Sequence, residues 1–273
     1  MHVKNAVFAS VSTFVVSLVL VAVLGVGDAF AAPKADDVDF TIVSYNIKRG
    51  RGMDGKRDLT RTGGVIAKEK PRFVGIQEID MNRPGMKNPD SCGILEKATG
   101  LHATFSKAID LAGEYGVAAL SKEKPLGVKR LLFPGGKEQR TFVILEFEDC
   151  WFGTTHLGRN RKKRETSIDE IEKLVKECAA KKPVFICGDW NSTPASPTLE
   201  HIRKFATILS PTDASTISAC IKDEKGPNHK HCIDYIAVDN AHAAQFEAVN
   251  PRVIQDDVTS DHMPVAVGIR RRK

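Results

Sequence analysis

Short apolar runs rich in β-branched and aromatic residues recur along this chain, and several of them end in a carboxylate, an amide or an imidazole. Asn46 follows the run 40–45, and Asp189 follows the run 183–187 almost directly. Runs of this length and composition are typical of buried strands. Because functional side chains concentrate in the loops at the ends of rigid elements, this pattern constrains both the fold and the place of any site.

The order of these runs predicts an α/β fold. Strands are expected over 40–45, 73–77, 118–121, 141–147, 150–155, 183–187, 233–238 and 264–269. Helices are expected over 59–68, 91–99 and 166–180, the last with apolar residues at clear helical spacing. Strands therefore outnumber helices, and many connections resemble hairpins. This favours two packed, mainly antiparallel sheets covered by helices over a single parallel sheet.

The N-terminus has the pattern of a secretory signal peptide. Lys4 precedes an almost wholly apolar stretch over 7–26, and Ala29-Phe30-Ala31 is a small-x-small cleavage site. We expect a signal peptide over 1–31, a flexible N-terminus over 32–38 and an exported protein, secreted or periplasmic. The alternative is an uncleaved anchor, since twenty apolar residues could cross a bilayer. No basic stop-transfer cluster follows, so we favour cleavage, which leaves no stable membrane span.

Residues 39–273 are expected to form one domain, since no linker, repeat or change in composition divides them. We expect a monomer. The chain has 40 Lys+Arg against 34 Asp+Glu, a net charge of +6. The main basic cluster is the run 159–164, which either favours a phosphate-rich partner through counterion release or is a solvated loop.

Six cysteines are compatible with disulfides in an oxidising compartment. Cys220 and Cys232 are close in sequence and flank a loop, which makes them the expected bridge. Cys150 and Cys187 lie in apolar runs and are equally explained as buried small hydrophobes. The spacing of Cys and His does not match a structural zinc site.

Polar groups at the predicted strand ends could together carry phosphate-ester chemistry. These groups are Asn46, Glu78, His156, Asp189, Asn191, Asp234, Asp261 and His262. Glu78, Asn46 and Asp261 offer oxygen ligands, which suit a hard cation such as Mg²⁺, with Mn²⁺ or Ca²⁺ as alternatives. A bound cation of this kind polarises a phosphoryl oxygen and stabilises the leaving group.

The other strand-end groups suit proton transfer and charge stabilisation. Asp234 could fix the tautomer of His262, and Asp189 lies where a base or a water-orienting group is needed. Asn191 and His156 could donate to non-bridging phosphate oxygens. Taken singly, each has a structural explanation, since Asn and Asp often form turns or cap helices. Their recurrence at several strand ends favours the catalytic interpretation.

The same segments resemble the endonuclease/exonuclease/phosphatase superfamily. This superfamily includes pancreatic-type deoxyribonucleases, abasic-site endonucleases, inositol-phosphate phosphatases, sphingomyelinases and cytolethal distending toxin subunits. The likeness spans about residues 39–269, and the motifs occur in the family's order: Ser44-Tyr45-Asn46-Ile47, Ile76-Gln77-Glu78-Ile79, Glu114-Tyr115-Gly116, Ala119-Leu120-Ser121, Thr155-His156-Leu157, Gly188-Asp189-Trp190-Asn191, Ile233-Asp234-Tyr235-Ile236 and Ser260-Asp261-His262-Met263-Pro264.

The resemblance implies a four-layer α/β sandwich with the active site at one rim of the paired sheets. It implies Glu78 as the principal metal ligand, with Asn46 and Asp261 nearby. It places the remaining groups at the water and the phosphate: Asp189, Asn191, His156 and an Asp234–His262 pair.

Substrate contacts are expected from Tyr115, Arg140 and Arg159. Arg140 is similar to a recurring basic position of the family, and Arg159 begins the basic run. Many relatives carry Asn two residues after the equivalent of Tyr115, whereas this chain has Val117. That departure removes one polar contact near the site and leaves the metal chemistry intact.

The sequence thus predicts an exported, divalent-metal-dependent phosphohydrolase that uses in-line attack of water on a phosphate ester. Phosphodiesters are the favoured substrates, nucleic acid first, because a basic run directly follows the His156 segment. One alternative is a phospholipid or inositol-phosphate hydrolase. Another is an inactive module that binds a phosphate-bearing ligand in the same groove.

Overall fold

A computed structural model describes residues 38–85, 89–133, 138–221 and 231–273, all within one compact unit. The predicted signal peptide over 1–31 lies outside the described residues, and so does the predicted flexible N-terminus except for residue 38. Both stay predictions. In the described part of the chain, no helix combines the length and apolarity needed to cross a bilayer.

Two six-stranded sheets form the centre of the fold. The first sheet has the order β11-β12-β1-β2-β4-β3. Its strands are β1 (Phe40–Asn46), β2 (Phe73–Met81), β3 (His102–Asp110), β4 (Glu114–Ser121), β11 (Phe246–Val253) and β12 (Val265–Arg271). The second sheet has the order β5-β6-β7-β8-β10-β9. Its strands are β5 (Gly127–Phe133), β6 (Arg140–Glu146), β7 (Trp151–His156), β8 (Val184–Asp189), β9 (Ala206–Ile208) and β10 (Asp234–Asp239).

Each sheet contains one parallel pair, and the other neighbouring strands are antiparallel. β1 pairs with β2 and β7 pairs with β8, and each connection carries a helix, α1 (Leu59–Ala67) or α3 (Arg161–Ala179). Parallel neighbours require such a crossover because their connection must return to the starting edge. The crossovers bring the ends of β1 and β2 together in one sheet and the ends of β7 and β8 together in the other.

Helices cover the outer faces of both sheets. α1 and α2 (Ser91–Thr99) share a core with β1, β2 and β4, whereas α3 and α4 (Pro197–Arg203) pack on the second sheet. A third core, rich in phenylalanine, fills the space between the sheets. Burial of these apolar faces provides the main stabilisation of the sandwich. The prediction of a four-layer α/β sandwich is confirmed.

The longest helix begins earlier than the sequence pattern predicted. α3 starts at Arg161, where the Asn160 side chain accepts a hydrogen bond from Lys163 N at 3.2 Å. The basic run 159–164 was left open between a phosphate-binding cluster and a solvated loop, and the structure places residues 161–164 in the first turn of α3. That turn carries mainly charged side chains, so apolar periodicity could not reveal it.

Strand β2 is also longer than predicted, and this changes the position of Glu78. The strand continues to Met81, with an irregularity in its pairing to β4 between Gln77 and Ile79. Glu78 therefore does not follow the strand but lies inside it, at the bulge. A bulge leaves one residue outside the regular ladder and redirects its side chain.

The expected Cys220–Cys232 disulfide is absent. All six cysteines lie in the described residues, and all six are free thiols. Cys232 is buried and its Sγ lies 3.4 Å from the carbonyl oxygen of Pro211, whereas Cys220 is exposed. Proximity in sequence therefore did not produce the side-chain approach that a disulfide requires.

Candidate active site at the strand ends

Three predicted site residues lie side by side in the second sheet. His156 is paired in register with Asp189 across β7 and β8, and Asp189 is paired with Asp234 across β8 and β10. Gly188 precedes Asp189 with a φ of +151°, and a Cβ atom there would lie 2.0 Å from the carbonyl oxygen of Thr155. Only glycine fits this close approach, which holds the Asp189 end of β8 against β7.

Asp189 is the central carboxylate of the site and is only 2% exposed. Its Oδ2 accepts a hydrogen bond from Asn46 Nδ2 at 3.0 Å and lies 3.3 Å from His156 Nε2 and 3.8 Å from His262 Nε2. Its Oδ1 accepts from Asn191 N at 2.8 Å. The structure thus brings groups from both sheets onto one buried carboxylate.

The neighbouring imidazoles determine the charge of Asp189. Burial alone would raise the pKa of Asp189, but the charges of His156 and His262, with the His156 hydrogen bond, hold it below its usual range. Asp189 is therefore an anion at neutral pH. An ionised carboxylate can accept a proton or orient a water molecule.

His262 and Asp234 form a buried pair. His262 Nδ1 lies 2.8 Å from Asp234 Oδ2, and the same oxygen accepts a hydrogen bond from Thr216 Oγ1 at 2.6 Å. Burial alone would lower the pKa of His262, but the charge and hydrogen bond of Asp234 raise it to about 10. Burial and the Asp189 charge raise the pKa of Asp234 against the opposing effect of His262. His262 is therefore an imidazolium at neutral pH, with Nε2 towards Asp189.

Asn191 and Arg140 lie on either side of the His156 ring. Asn191 Nδ2 donates to the carbonyl oxygen of Leu157 at 2.8 Å and lies 3.0 Å from His156 Nε2. Arg140 Nη1 lies 3.3 Å from His156 Nδ1, while its Nη2 donates to Glu138 Oε2 at 2.8 Å. Both ring nitrogens are therefore held in place, and a guanidinium charge lies beside the ring.

Glu78 and Asn46 join the first sheet to this cluster. The same Asn46 Nδ2 that bonds Asp189 also donates to Glu78 Oε1 at 3.2 Å. Asn46 Oδ1 accepts from Lys48 N at 3.1 Å. Glu78 has a φ of +58°, which is unusual for a residue with a side chain. The bulge in β2 thus holds the Glu78 carboxylate at the rim, half-buried and next to Asn46.

Asp261 lies close to Asn46 through Ser260. Ser260 Oγ donates to the backbone oxygen of Asn46 at 2.8 Å and lies 3.3 Å from Asp261 Oδ1. Asp261 Oδ2 forms an ion pair with Lys48 Nζ at 2.8 Å, which shows that this half-buried carboxylate is open to a cationic group. Asn46 thus contacts Glu78 directly and Asp261 through Ser260, and the side-chain oxygens of these three residues are the kind of ligand that a hard divalent cation prefers.

A second group of possible metal ligands lies deeper in the site. Donor atoms of Asp189, Asp234 and His262 all lie within 4.8 Å of one another. His262 Nδ1 and Asp234 Oδ2 are already bonded to each other, and Thr216 also bonds Asp234. These hydrogen bonds favour a proton-holding role for the inner group and leave the rim as the better cation site.

Tyr115, Arg140 and His156 line a shallow pocket beside the site. Burial and the nearby Glu78 charge raise the pKa of Tyr115, so its hydroxyl stays protonated. Val117 lies in the wall of the same pocket, where it supplies an apolar surface. Arg159 is exposed on the turn before α3, and in the described residues no contact joins its side chain to the cluster.

Residues with a left-handed backbone concentrate at the site. Lys48, Arg49, Glu78 and Asn191 have positive φ, half of all the described non-glycine residues that do. Such conformations cost energy and persist where the surrounding structure imposes them. Their concentration around Asn46 and Asp189 is typical of a functional site.

Comparison with known proteins identifies the enzyme class to which this chain belongs. The model of the Endonuclease/Exonuclease/phosphatase family matches residues 43–262, and the chain belongs to this family. The chain is therefore a phosphoric ester hydrolase, of a family whose enzymes typically depend on a divalent metal.

Solved structures share the fold at low sequence identity. An endonuclease/exonuclease/phosphatase from Beutenbergia cavernae DSM 12333 is 18% identical with a TM-score of 0.69, over 86% of this chain and 72% of that one. A mannosyl-6-phosphatase from Bacteroides thetaiotaomicron VPI-5482 is 15% identical with a TM-score of 0.62, over 84% and 99%. A humanized D. rerio TDP2 is 18% identical with a TM-score of 0.64, over 85% and 98%.

Proposed function

We propose that this protein is an exported phosphodiesterase that requires Mg²⁺ and that prefers nucleic acid as its substrate. The proposal is carried by one observation, the ionised Asp189 carboxylate in contact with Asn46, His156 and His262. Water attack on a phosphate ester needs a proton acceptor close to groups that stabilise negative charge, and this cluster provides both.

Glu78, Asp261 and the amide oxygen of Asn46 would hold the metal. When bound, Mg²⁺ polarises a phosphoryl oxygen and neutralises charge on the leaving group. Mn²⁺ and Ca²⁺ are chemically compatible with the same oxygen ligands. Lys48 would leave Asp261 on binding, which its partly exposed side chain permits.

Asp189 would orient the attacking water and accept its proton. Its Oδ1 is fixed by Asn191 N, which sets the direction of the carboxylate before substrate arrives. Such pre-organisation lowers the barrier because no reorientation is needed during the reaction. The water would then attack in line with the departing oxygen.

Cationic and amide donors surround the position where charge accumulates. His262 would donate from Nε2 to a phosphoryl oxygen, and the Asp234 carboxylate would keep its ring protonated. His156 and Asn191 would contact another non-bridging oxygen, with Arg140 adding positive charge behind the ring. Hydrogen bonds from these donors become stronger as the phosphoryl oxygens gain negative charge in the transition state.

The preference for a polyanionic substrate rests on the basic start of α3. Arg159, Arg161, Lys162 and Lys163 are exposed there, after the β7 strand that ends in His156. Arg164 is buried and donates to backbone oxygens of the preceding turn, so it fixes the turn and leaves binding to the exposed cations. Several cations in a row favour a phosphate backbone through counterion release.

A substrate panel tests the proposal. The mature protein would be assayed with plasmid DNA, RNA, bis(nitrophenyl) phosphate, sphingomyelin, an inositol phosphate and a mannose phosphate. We expect hydrolysis of the phosphodiesters with Mg²⁺ or Mn²⁺, highest for nucleic acid, and loss of activity on adding a chelator.

The other results identify the alternatives. Hydrolysis of only the sphingolipid or the monoesters would reject the nucleic-acid assignment in favour of a phospholipid or sugar-phosphate enzyme. Metal-dependent binding without turnover of any substrate would indicate an inactive phosphate-binding module. Undiminished turnover in chelator would reject metal dependence itself.

A further inference from the structure

Three arginines surround one buried carboxylate at the edge of the site. Asp80 is 3% exposed, and its Oδ2 lies 3.1 Å from Arg57 Nη2 and 3.0 Å from Arg83 Nη1. Its Oδ1 lies 3.6 Å from Arg49 Nε. The three arginine side chains are 30%, 33% and 34% exposed, so each guanidinium is partly open to solvent. We call Arg49, Arg57 and Arg83 the arginine trio.

The arginine trio borders the proposed metal rim. Asp80 follows Glu78 by two residues on β2 and pairs in register with Tyr115 on β4. The Arg49 guanidinium lies 4.8 Å from the centre of the Tyr115 ring. Tyr115 in turn lines the pocket that contains Arg140 and His156. A chain of contacts therefore connects the trio to the residues around the scissile phosphate.

The charge around the trio is unbalanced. One buried carboxylate lies against three guanidinium groups, and Arg51, whose backbone pairs with that of Arg57 in an isolated β-bridge, adds a further cation to this segment.

Other acids of the neighbouring segments are already engaged. Asp54 bonds both terminal nitrogens of Arg61, Asp58 caps α1, and Glu114 pairs with Lys107 and bonds Asn82. Asp110 and Glu138 pair with Lys107 and Arg140, and Glu78 bonds Asn46 and would be used by the proposed metal. An excess of positive charge therefore persists beside the site.

The geometry suits a phosphate group. Asp80 contacts a single nitrogen of each guanidinium. This contact anchors each arginine side chain and leaves the other N–H donors of that guanidinium for a further partner. Arg49 is additionally held by its backbone φ of +59° and by the Tyr115 ring. Anchored guanidinium forks bind phosphate oxygens with little loss of side-chain entropy.

We propose that the arginine trio is a subsite for a second phosphate group of the substrate, next to the phosphate that is cleaved. This inference rests on the proposed function and narrows its substrate class. The enzyme would take esters that carry two phosphates a short distance apart, as consecutive nucleotides do, in preference to esters with one.

Paired substrates that differ by one phosphate test the subsite. The first pair is a thymidine dinucleotide with a single phosphodiester and the same dinucleotide with a phosphate added to either terminal hydroxyl. The second pair is inositol monophosphate and inositol bisphosphate, which separates a nucleotide from a non-nucleotide source of the second phosphate. We expect kcat/KM to be at least about tenfold higher for the two-phosphate member of at least one pair. The preference should weaken as salt is raised.

Variants of the trio identify the residues that read the second phosphate. The preference is measured as kcat/KM for the two-phosphate substrate divided by kcat/KM for the one-phosphate substrate. Arg57→Gln and Arg83→Gln should each reduce this ratio by about three- to tenfold. Arg83→Lys should recover part of it, since charge remains without the fork. Each single variant leaves two arginines on Asp80, and thermal melting would verify that it is folded. Lys107→Gln is the matched control, because this cation is already paired with two acids.

The outcomes separate the subsite from the proposed function. Hydrolysis of both members of each pair at equal rates would overturn the subsite and leave the phosphodiesterase assignment intact. A preference that survives in both arginine variants, or falls equally in Lys107→Gln, would also overturn it. No hydrolysis of any member would overturn the proposed function and, with it, the subsite.

Discussion

Replacing Asp189 with Asn should reduce kcat/KM for a phosphodiester by at least about a thousandfold. The substitution keeps the size and the hydrogen-bonding shape of the side chain but removes the charge that faces His156 and His262. The variant could neither accept a proton from water nor balance the imidazolium beside it. Steady-state kinetics at saturating Mg²⁺ would measure the loss, with circular dichroism to verify folding.

Asp239→Asn is the matched control for this variant. Asp239 is also a buried aspartate at a strand end, 2% exposed, but it lies at the opposite end of β10 from Asp234. Its carboxylate accepts a hydrogen bond from Val184 N and lies 2.9 Å from His242 Nδ1. We expect lower stability with kcat/KM within about twofold of wild type. Comparable losses of activity in both variants would show that Asp189 acts through folding.

Replacing His262 with Gln should lower kcat by at least about a hundredfold. Asp234 raises the pKa of His262 to about 10, so the wild-type ring carries a positive charge at neutral pH. Gln can still donate a hydrogen bond but brings no charge to the developing phosphoryl anion. The loss should therefore appear in kcat more than in KM, and the kinetics should be measured near pH 7.

The chain contains a second Asp–His pair that serves as the control. His242 Nδ1 lies 2.9 Å from Asp239 Oδ1, much as His262 Nδ1 lies 2.8 Å from Asp234 Oδ2. His262 of the His262–Asp234 pair lies 3.8 Å from Asp189, whereas the His242–Asp239 pair lies at the opposite end of β10. His242→Gln should keep kcat within about twofold while it perturbs a similar buried pair. If His262→Gln retained more than about a third of wild-type turnover, the charge-stabilising role of His262 would be rejected.

The central strands were predictable because burial on both faces leaves a strong apolar signal. β1, β7, β8 and β10 are almost wholly buried, and each was predicted to within two residues at either end. β5, an edge strand of the second sheet, exposes alternate residues, and β3, an edge strand of the first sheet, is only partly buried, so neither was predicted. β9, β11 and α4 were also missed. These elements are short or partly exposed, and tertiary pairing rather than local sequence defines them.

Much of the site was suggested by the sequence because its carboxylates, amides and imidazoles come at the ends of strongly apolar strands. Thr216, Ser260 and Lys48 were not identified, since their roles depend on loops that meet only in the folded protein. The arginine trio was missed for the same reason. Arg57 and Arg83 come from separate loops and converge only on Asp80.

Binding of a divalent ion at the rim of Glu78, Asn46 and Asp261 is the central claim, and a metal titration tests it most directly. The wild-type protein and Glu78→Gln would be titrated with Mn²⁺ by paramagnetic resonance, with Mg²⁺ as competitor and Glu114→Gln as a control from the neighbouring strand β4. We predict that Glu78→Gln binds Mn²⁺ at least about tenfold more weakly than either the wild-type protein or Glu114→Gln does. The rate of hydrolysis should be proportional to the fraction of protein that has the ion bound. Equal Mn²⁺ affinity in all three proteins would contradict the assignment of this rim as the metal site.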